Sequence, residues 1–381
     1  MTLKKIISTG IQICIITAIA AMISGTALDA ISSIPDFNPS GTEYDFDITD
    51  IYNSVYRNKV APRLSQEIVI VSVDDCSRDE IAHVIEIIDT SDVLAIGLDI
   101  IFPWENSGDE RLINAITSSP NIVMPCSAIL NKESMTYDSV SGSYFYSDTL
   151  LHRGIVNFEA NSLASTIRNF KTSYLINSQD INSFPVEVVK ISHPSKYEQL
   201  LHRPRNITPI YFPGVEFDII SAQEIFDDPV SISSYIKGKT IFIGDVHDGH
   251  DIHITPIDKA MPGIIVQAHI AQTIIDGIYI KLTSSFINWL IAIIICMMFI
   301  AMSFVAKDRL PNAGNIVIRV LQVFSLYIFY LIGCLIFANH AVYVDFMPAL
   351  SMVALGLFAF DIWGGFVACY KYLASKFIKK P

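Results

Sequence analysis

The residues best suited to chemistry in this chain are aspartates placed at the ends of apolar runs. The candidate ligand-binding acids are Asp74, Asp75, Asp99, Asp245 and Asp251. Carboxylates gathered at one edge of a sheet can bind Mg²⁺ or a hydroxylated small molecule. The alternative is that each carboxylate accepts backbone N–H bonds and caps a loop or a helix.

A polar loop late in the chain alternates histidine with carboxylate. Its histidines are His247, His250 and His253, which stand among Asp245, Asp248 and Asp251. Neutral imidazole and carboxylate are ligands of Zn²⁺ and other divalent ions. The alternative is a solvated loop in which Asp251 and His253 form internal hydrogen bonds. No other cofactor is indicated.

The sequence lacks the common catalytic motifs. An aspartyl-nucleophile phosphatase needs a second acid two residues after Asp74, where Cys76 stands. The patterns H-E-x-x-H, G-x-S-x-G and G-x-x-x-x-G-K are also missing from the sequence. We therefore predict that the protein is not an enzyme and has no catalytic residues.

Two of the six cysteines, Cys76 and Cys126, lie outside the predicted membrane spans. A disulfide between them would close a loop of about 50 residues and stabilise the fold by roughly 4 kcal/mol in the entropic account. Two buried free thiols are the alternative.

The segment 67–102 is predicted to position the first of these acids as a strand, a turn, a helix and a second strand. Ser77 and Glu80 form the S-x-x-E capping box of a helix, whose apolar face comprises Ile81, Val84, Ile85 and Ile88. The apolar run 93–102 is typical of a strand buried on both faces of a parallel sheet. A right-handed βαβ crossover then leaves the acids near the carboxyl ends of the strands, where open α/β sheets bind ligands.

The rest of the polar region repeats this alternation of elements. Residues 107–119 predict a second helix with Ser107 as its N-cap, and residues 121–129 predict a third strand. The stretch 131–149 predicts an insertion loop. A strand, a polar loop and a helix follow over 238–277. The predicted fold class is α/β, with a mostly parallel central sheet.

The composition indicates a membrane protein, since 51% of the residues are hydrophobic and the mean hydropathy is +0.43. We predict one transmembrane helix before the polar domain 29–283 and three after it, at 6–28, 286–306, 320–338 and 347–370. The first span is expected to remain as an anchor, the alternative being a cleaved signal peptide.

The distribution of Lys and Arg predicts the orientation. The segments 1–5, 307–319 and 371–381 carry nine Lys and Arg against one acid, and the loop 339–346 carries none. Basic loops remain in the cytoplasm, so both termini are expected inside and the polar domain outside. That domain has 17 basic and 35 acidic residues, and this acidic surface disfavours nucleic acid and anionic lipid.

Asp361 is an acid within the last predicted span, about ten residues before Lys371. A buried acid there costs a few kcal/mol unless it is paired, which makes it a candidate for coupling. Gly364 and Gly365 would allow a neighbouring helix to approach closely. The carboxyl can bond a polar group on a partner's helix or, within the bundle, Ser325, Tyr327 or Tyr330.

The order of these elements resembles the second type of CHASE domain, an extracellular sensory domain associated with cyclases and histidine kinases. The resemblance covers about residues 1–370 and rests on IVIVSVDDCS, AIGLDIIF, IFIGDV, DIHITP and MPGIIVQAHIAQTIIDG, between one span and three. It implies an outer domain that senses an unknown signal and passes it through the membrane helices. It assigns no chemical role to the matching positions, which are Asp74, Gly97, Asp99, Phe102, Gly244, Asp251, Thr255, Pro256, Pro262 and Gly263.

The chain departs from that family pattern at its C-terminal side, where 11 residues follow Tyr370. We therefore expect no output domain here, and instead a separate cytoplasmic or membrane signalling partner, a homo-oligomer, or both. The expected setting is the bacterial cytoplasmic membrane, with an unidentified small-molecule ligand. The alternatives are an envelope ligand-binding or scaffold protein that does not signal, and a metal-binding membrane enzyme.

Overall fold

The chain folds into two compact units, which are a sheet domain of residues 42–280 and a helical unit of residues 1–41 and 281–381. The structure is a computed structural model. It describes residues 3–32, 50, 52–53, 62–131, 133–134, 136–146, 152–158, 166–203, 206–212, 214–247, 249, 251–310 and 313–377.

The described elements follow in chain order. They are α1 (Leu3–Ser32), β1 (Arg63–Ser72), α2 (Arg78–Asp89), β2 (Ala95–Leu98), α3 (Asp109–Ser118), β3 (Ile122–Asn131), β4 (Thr136–Gly142), β5 (His152–Ile155), β6 (Asn169–Lys171), β7 (Ser173–Ile176), β8 (Gln179–Asn182), α4 (Phe184–Ser192), α5 (Pro194–Leu201), β9 (Ile207–Pro209), β10 (Val215–Ser221), α6 (Ala222–Asp227), α7 (Pro229–Ile236), β11 (Thr240–Gly244), β12 (Ile252–His253), β13 (Met261–Pro262), α8 (Gly263–Asp276), β14 (Lys281–Leu282), α9 (Ser285–Arg309), α10 (Gly314–His340), β15 (Val342–Tyr343) and α11 (Met347–Phe377).

A mostly parallel sheet organises the sheet domain. Its strand order is β10-β1-β11-β2-β3-β4, and β5 also pairs with β3. Every pairing is parallel except that of β3 with β4. The predicted α/β fold class is therefore confirmed.

The strand β11 lies between the two strands of the first βαβ unit. Ile241 pairs with Val69 of β1 on one side and with Ile96 of β2 on the other. The connection from β1 through α2 to β2 thus skips one position in the sheet. As a result, the carboxyl ends of β1, β11 and β2 are neighbours.

Both faces of the sheet are buried. Ile68 and Ile70 of β1 belong to a core that includes α4 and α8, whereas Val69 and Val71 belong to a core that includes α2 and α3. Side chains of a strand alternate between faces, so a continuous apolar run supplies both cores. The helix α2 begins at the predicted capping box, in which Ser77 accepts a bond from the Glu80 backbone N–H and the Glu80 side chain bonds back.

Three local predictions were wrong. The run 93–102 is a strand only over Ala95–Leu98, after which the chain leaves the sheet. The segment 131–149 includes β4, which extends the sheet as an antiparallel strand. The N-cap of α3 is Gly108, with φ 85°, instead of Ser107, because the chain there takes a left-handed turn that favours glycine.

The helical unit contains four described helices that are long and apolar enough to span a membrane, namely α1, α9, α10 and α11. This confirms the prediction of one span before the sheet domain and three after it. The helices share an apolar core that includes Ile16, Ala292 and Met352. The Gln322 side chain of α10 donates to the backbone carbonyls of Val353 and Ala354 of α11, at 3.1 and 2.9 Å.

Candidate ligand-binding cleft

Asp74 joins the end of β1 to the loop after β11. Its carboxylate accepts bonds from the backbone N–H of Val246 at 2.7 Å and of His247 at 3.2 Å, and from the Ser72 hydroxyl. The His247 Nδ1 lies 2.5 Å from its second oxygen. Asp74 therefore holds two strand ends together, as in the capping alternative.

The ionisation of Asp74 follows from these contacts. Partial burial alone would raise the pKa of Asp74. Hydrogen bonds to its carboxylate outweigh this effect, first the bond from the Asp245 carboxyl and then those from Ser72 and His247. The pKa of Asp74 therefore lies well below its usual range. The same contact raises the pKa of His247. Both groups are thus stabilised in their charged forms.

Asp99 follows β2 directly and differs from Asp74 in its surroundings. Its backbone N–H donates to the carbonyl of Ile243 at 2.7 Å, which holds it beside the end of β11. Loss of hydration, followed by repulsion from Asp251, raises the pKa of the Asp99 carboxyl to about 7. Asp99 therefore gains or loses its proton near neutral pH.

Asp251 lies at the N-terminus of α8. Its backbone carbonyl accepts from Gly263 at 2.9 Å, and its Oδ1 lies 2.8 Å from the His253 Nε2. A Cβ on Gly263 would stand 2.1 Å from the second carboxylate oxygen, so a larger residue there would displace the Asp251 side chain. The Asp251–His253 bond is the internal bond that the alternative to a metal site predicted.

These strand ends form a cleft of about 810 Å³. Asp75, Asp99, Asp245 and Asp251 line it. The polar side chains Arg78, Ser127, Asn157, His253 and Gln267 also line it, and its apolar wall includes Val73, Ile100, Phe102, Val156 and Phe158. The structure thus brings four of the five predicted ligand-binding acids to one cleft, while Asp74 lines an adjoining pocket.

Arg78 is occupied by neighbours at one side of the cleft. Its guanidinium pairs with Asp109 and donates to the Trp104 carbonyl at 2.9 Å. Asp109 also accepts from the Tyr144 hydroxyl at 2.7 Å and from the Asn106 N–H at 2.6 Å. Arg78 is therefore neutralised by protein groups, and the four aspartates of the lining are not balanced by it.

The predicted histidine set is divided between two carboxylates. His247 contacts Asp74 and His253 contacts Asp251, while His250 lies outside the described residues. Within the described ranges, no three His, Cys, Asp or Glu residues are grouped as a metal site would require.

The two cysteines of the sheet domain are free thiols in the structure. Cys126 is buried, and its thiol lies 3.4 Å from the Gly154 carbonyl. Cys76 lines the cleft, where loss of hydration and the nearby Glu80 raise the pKa of its thiol. The structure thus contains the two separate thiols and not the disulfide.

Asp361 is exposed on the surface of the helical unit. None of the hydrogen bonds among the described residues reaches its carboxyl, and Ser325, one of its predicted partners, instead donates to the Gln322 carbonyl at 2.7 Å. A Cβ on Gly364 or Gly365 would meet no atom within 4 Å in the part of the chain that the structure describes. This face of α11 is therefore open to a neighbouring helix.

Sequence reasoning missed several lining residues of the cleft. Gln267 lies within α8, in a run that the sequence shows only as a mainly apolar helix. Asn157 and Phe158 follow β5, a strand of four residues. The sequence signal is weak, because Gln267 is one of four polar residues in the mainly apolar run 264–275, with His269, Gln272 and Thr273.

Together, the fold and the helices define a multi-pass membrane protein with one large α/β domain. The chain belongs to the CHASE2 domain family, because the model of that family matches residues 39–304. CHASE2 domains are extracellular sensory domains. No curated protein and no solved structure was found to match the chain.

Proposed function

We propose that this protein is a membrane-anchored sensor, and not an enzyme, whose sheet domain lies outside the bacterial cytoplasmic membrane and binds a small molecule in the cleft. The cleft carries the proposal, because it lies at the carboxyl ends of β1, β11 and β2, the usual ligand site of such sheets. Membership of a sensory family supports it.

We further propose that the signal passes through the membrane helices to a separate signalling partner. The supporting observation is the exposed Asp361, because a carboxyl inside a membrane is costly unless another group pairs with it. The exposed Gly364 and Gly365 on the same helix would let a partner helix approach closely.

Site-specific photo-crosslinking in the native membrane tests this relay. A photoreactive amino acid would replace Phe366, which is 64% exposed on α11, and Tyr327, which is 59% exposed on α10, would serve as the control position. We expect the photoreactive group at position 366 to form an adduct with a protein that carries a cytoplasmic kinase, cyclase or regulatory domain. The Asp361→Asn variant should not form this adduct.

The control variant for Asp361→Asn is Phe358→Leu, which changes another exposed side chain of α11 but keeps it apolar. It should preserve the adduct. Adducts formed only with copies of this chain or with extracytoplasmic proteins would contradict the relay and favour the scaffold alternative.

The orientation is tested separately. Both termini are proposed to lie in the cytoplasm because Lys and Arg collect in the segments next to them. Protease added outside intact spheroplasts should cut the sheet domain and spare a C-terminal tag. Cleavage of the tag with the sheet domain intact would reverse the topology.

A further inference from the structure

We propose that the cleft binds an organic cation, a primary amine or guanidine, whose N–H groups are recognised by the Asp99 carboxylate and the Gln267 carbonyl oxygen. This inference rests on the proposed function, because it names the chemical class of ligand for the same cleft.

The first argument is the hydrogen bonding of Asp99. Two other carboxylates near the cleft, Asp74 and Asp109, each accept several bonds from protein donors. In contrast, no hydrogen bond to the Asp99 side chain is found among the described residues. The pKa of its carboxyl is raised by lost hydration and by repulsion from Asp251. A partly buried acceptor of this kind favours a ligand that donates.

The second argument comes from a different element, α8. Gln267 is only 2% exposed and lines the cleft. Its Nε2 donates to the Val156 carbonyl at 3.2 Å, while its Oε1 accepts no hydrogen bond from any described residue. An amide oxygen accepts hydrogen bonds only. Among the described residues, neither the Asp99 carboxylate nor the Gln267 Oε1 accepts a hydrogen bond, so a ligand that donates hydrogen bonds would pair with both.

The third argument is charge. The lining acids are not balanced by Arg78, because Asp109 already pairs with that guanidinium. An anionic ligand would be repelled, whereas a cation would stabilise the ionised form of Asp99. A divalent metal fits less well, because protein sites for such ions usually supply several ligands and the described residues hold no suitable group of three.

The fourth argument is the apolar wall of the cleft, formed by Val73, Phe102, Val156 and Phe158 among others. This wall can cover a carbon skeleton, and a volume of about 810 Å³ is in the range of small-molecule sites. The ligand is thus an organic amine with an apolar part instead of ammonium or a metal ion.

The test is thermal unfolding of the full-length protein in nanodiscs with paired probes. The amines are putrescine, agmatine and 2-phenylethylamine, and the matched neutral compounds are 1,4-butanediol and 2-phenylethanol. A ligand that binds only the folded state raises Tm with its concentration. We expect at least one amine to raise Tm and the neutral compounds to leave it unchanged.

Variants locate the site. Asp99→Asn removes the charge and Gln267→Leu removes the acceptor, and each should weaken amine binding at least tenfold. Glu110→Gln, on the exposed side of α3, should leave it unchanged. Asp99→Asn keeps the side-chain volume and removes a poorly hydrated charge, so it is expected to fold even if Gln267→Leu does not.

The proposal is overturned if no amine raises Tm, if the alcohols raise it equally, or if Asp99→Asn binds the amines as the unmodified protein does. The relay is tested separately by the photo-crosslinking experiment, in which the absence of a crosslinked signalling partner would contradict it. Crosslinking without amine binding would reject only the ligand class, and amine binding without a partner would reject only the relay.

Discussion

The Nδ1 of His247 lies 2.5 Å from the carboxylate of Asp74, although the two residues belong to loops that follow different strands. The same carboxylate binds the backbone of the loop that carries His247. The contact therefore fixes the end of β11 against the end of β1, and both residues line the pocket that adjoins the cleft.

We expect Asp74→Ala to lower the free energy of unfolding by about 3 kcal/mol, because it leaves several donors without their charged acceptor. Denaturant unfolding followed by circular dichroism measures the change. Asp89→Ala is the control, since no hydrogen bond to the Asp89 side chain is found among the described residues and Asp89 ends α2. Equal effects of the two substitutions would contradict the structural role of Asp74.

The imidazole of His247 is expected to titrate above its usual pKa, first because of the hydrogen bond with Asp74. The stabilisation from this contact is complete below the unfolded pKa of about 6.5 and is lost as pH rises through the folded value. NMR titration should therefore show the His247 pKa falling in Asp74→Asn. An unchanged pKa in that variant would show that the pair does not form in solution.

Asp99 should make the protein less stable as pH rises from about 4 to about 7. Its folded pKa of about 7 lies above the unfolded value of about 3.9, so the stabilisation is present below the unfolded value and is lost as pH rises through the folded one. The neighbouring groups Asp251, Asp245 and His253 are the same in both proteins, so to first order their effects cancel in a comparison with Asp99→Asn.

We expect the Tm of Asp99→Asn to exceed that of the unmodified protein by about 3 °C or more at pH 8, with a smaller difference at pH 4. Differential scanning fluorimetry at both pH values measures this. A difference that is the same at pH 4 and pH 8 would mean that Asp99 titrates normally.

Gly154→Ala should destabilise the sheet domain by about 1 to 3 kcal/mol or prevent its folding. A Cβ at Gly154 would lie 2.4 Å from the Cα of Phe184, where β5 passes the start of α4. Gly249→Ala is the matched control, because a Cβ there meets no atom of the described residues within 4 Å. The yield of folded protein purified from membranes and the unfolding midpoint of the two variants decide the point.

Local sequence patterns predicted the elements that depend on local interactions. The capping box at Ser77 and Glu80 formed as predicted, because its bonds join residues three positions apart. The membrane-length helices followed from length and composition. The prediction of Ser107 as the N-cap was wrong, because α3 begins at the left-handed backbone conformation of Gly108 and not at a side-chain acceptor.

The site itself depended on pairings that local patterns do not contain. The sequence placed Asp74 and Asp245 after strands and Asp99 near the end of another, but only the insertion of β11 between β1 and β2 makes those strand ends adjacent. The run 93–102 does not show where the chain leaves the sheet. Its residues are mostly apolar both in the strand, where they pack in the core, and after it, where they line the cleft. Gln267 lines the cleft because of the way α8 packs on the sheet, and the hydrophobic periodicity of the helix does not reveal that packing.

The position of β11 also bears on how the sheet domain is made. Ile68 pairs with Thr240, so the centre of the sheet joins segments that leave the ribosome far apart in time. During this interval β1 and β2 each lack the neighbouring strand β11, and the incomplete chain must stay soluble. Exposed strand edges and high contact order slow folding and promote aggregation. We therefore expect that the domain completes its sheet only after nearly all of it has been synthesised, and that a chain truncated before Thr240 will need chaperones to stay unaggregated.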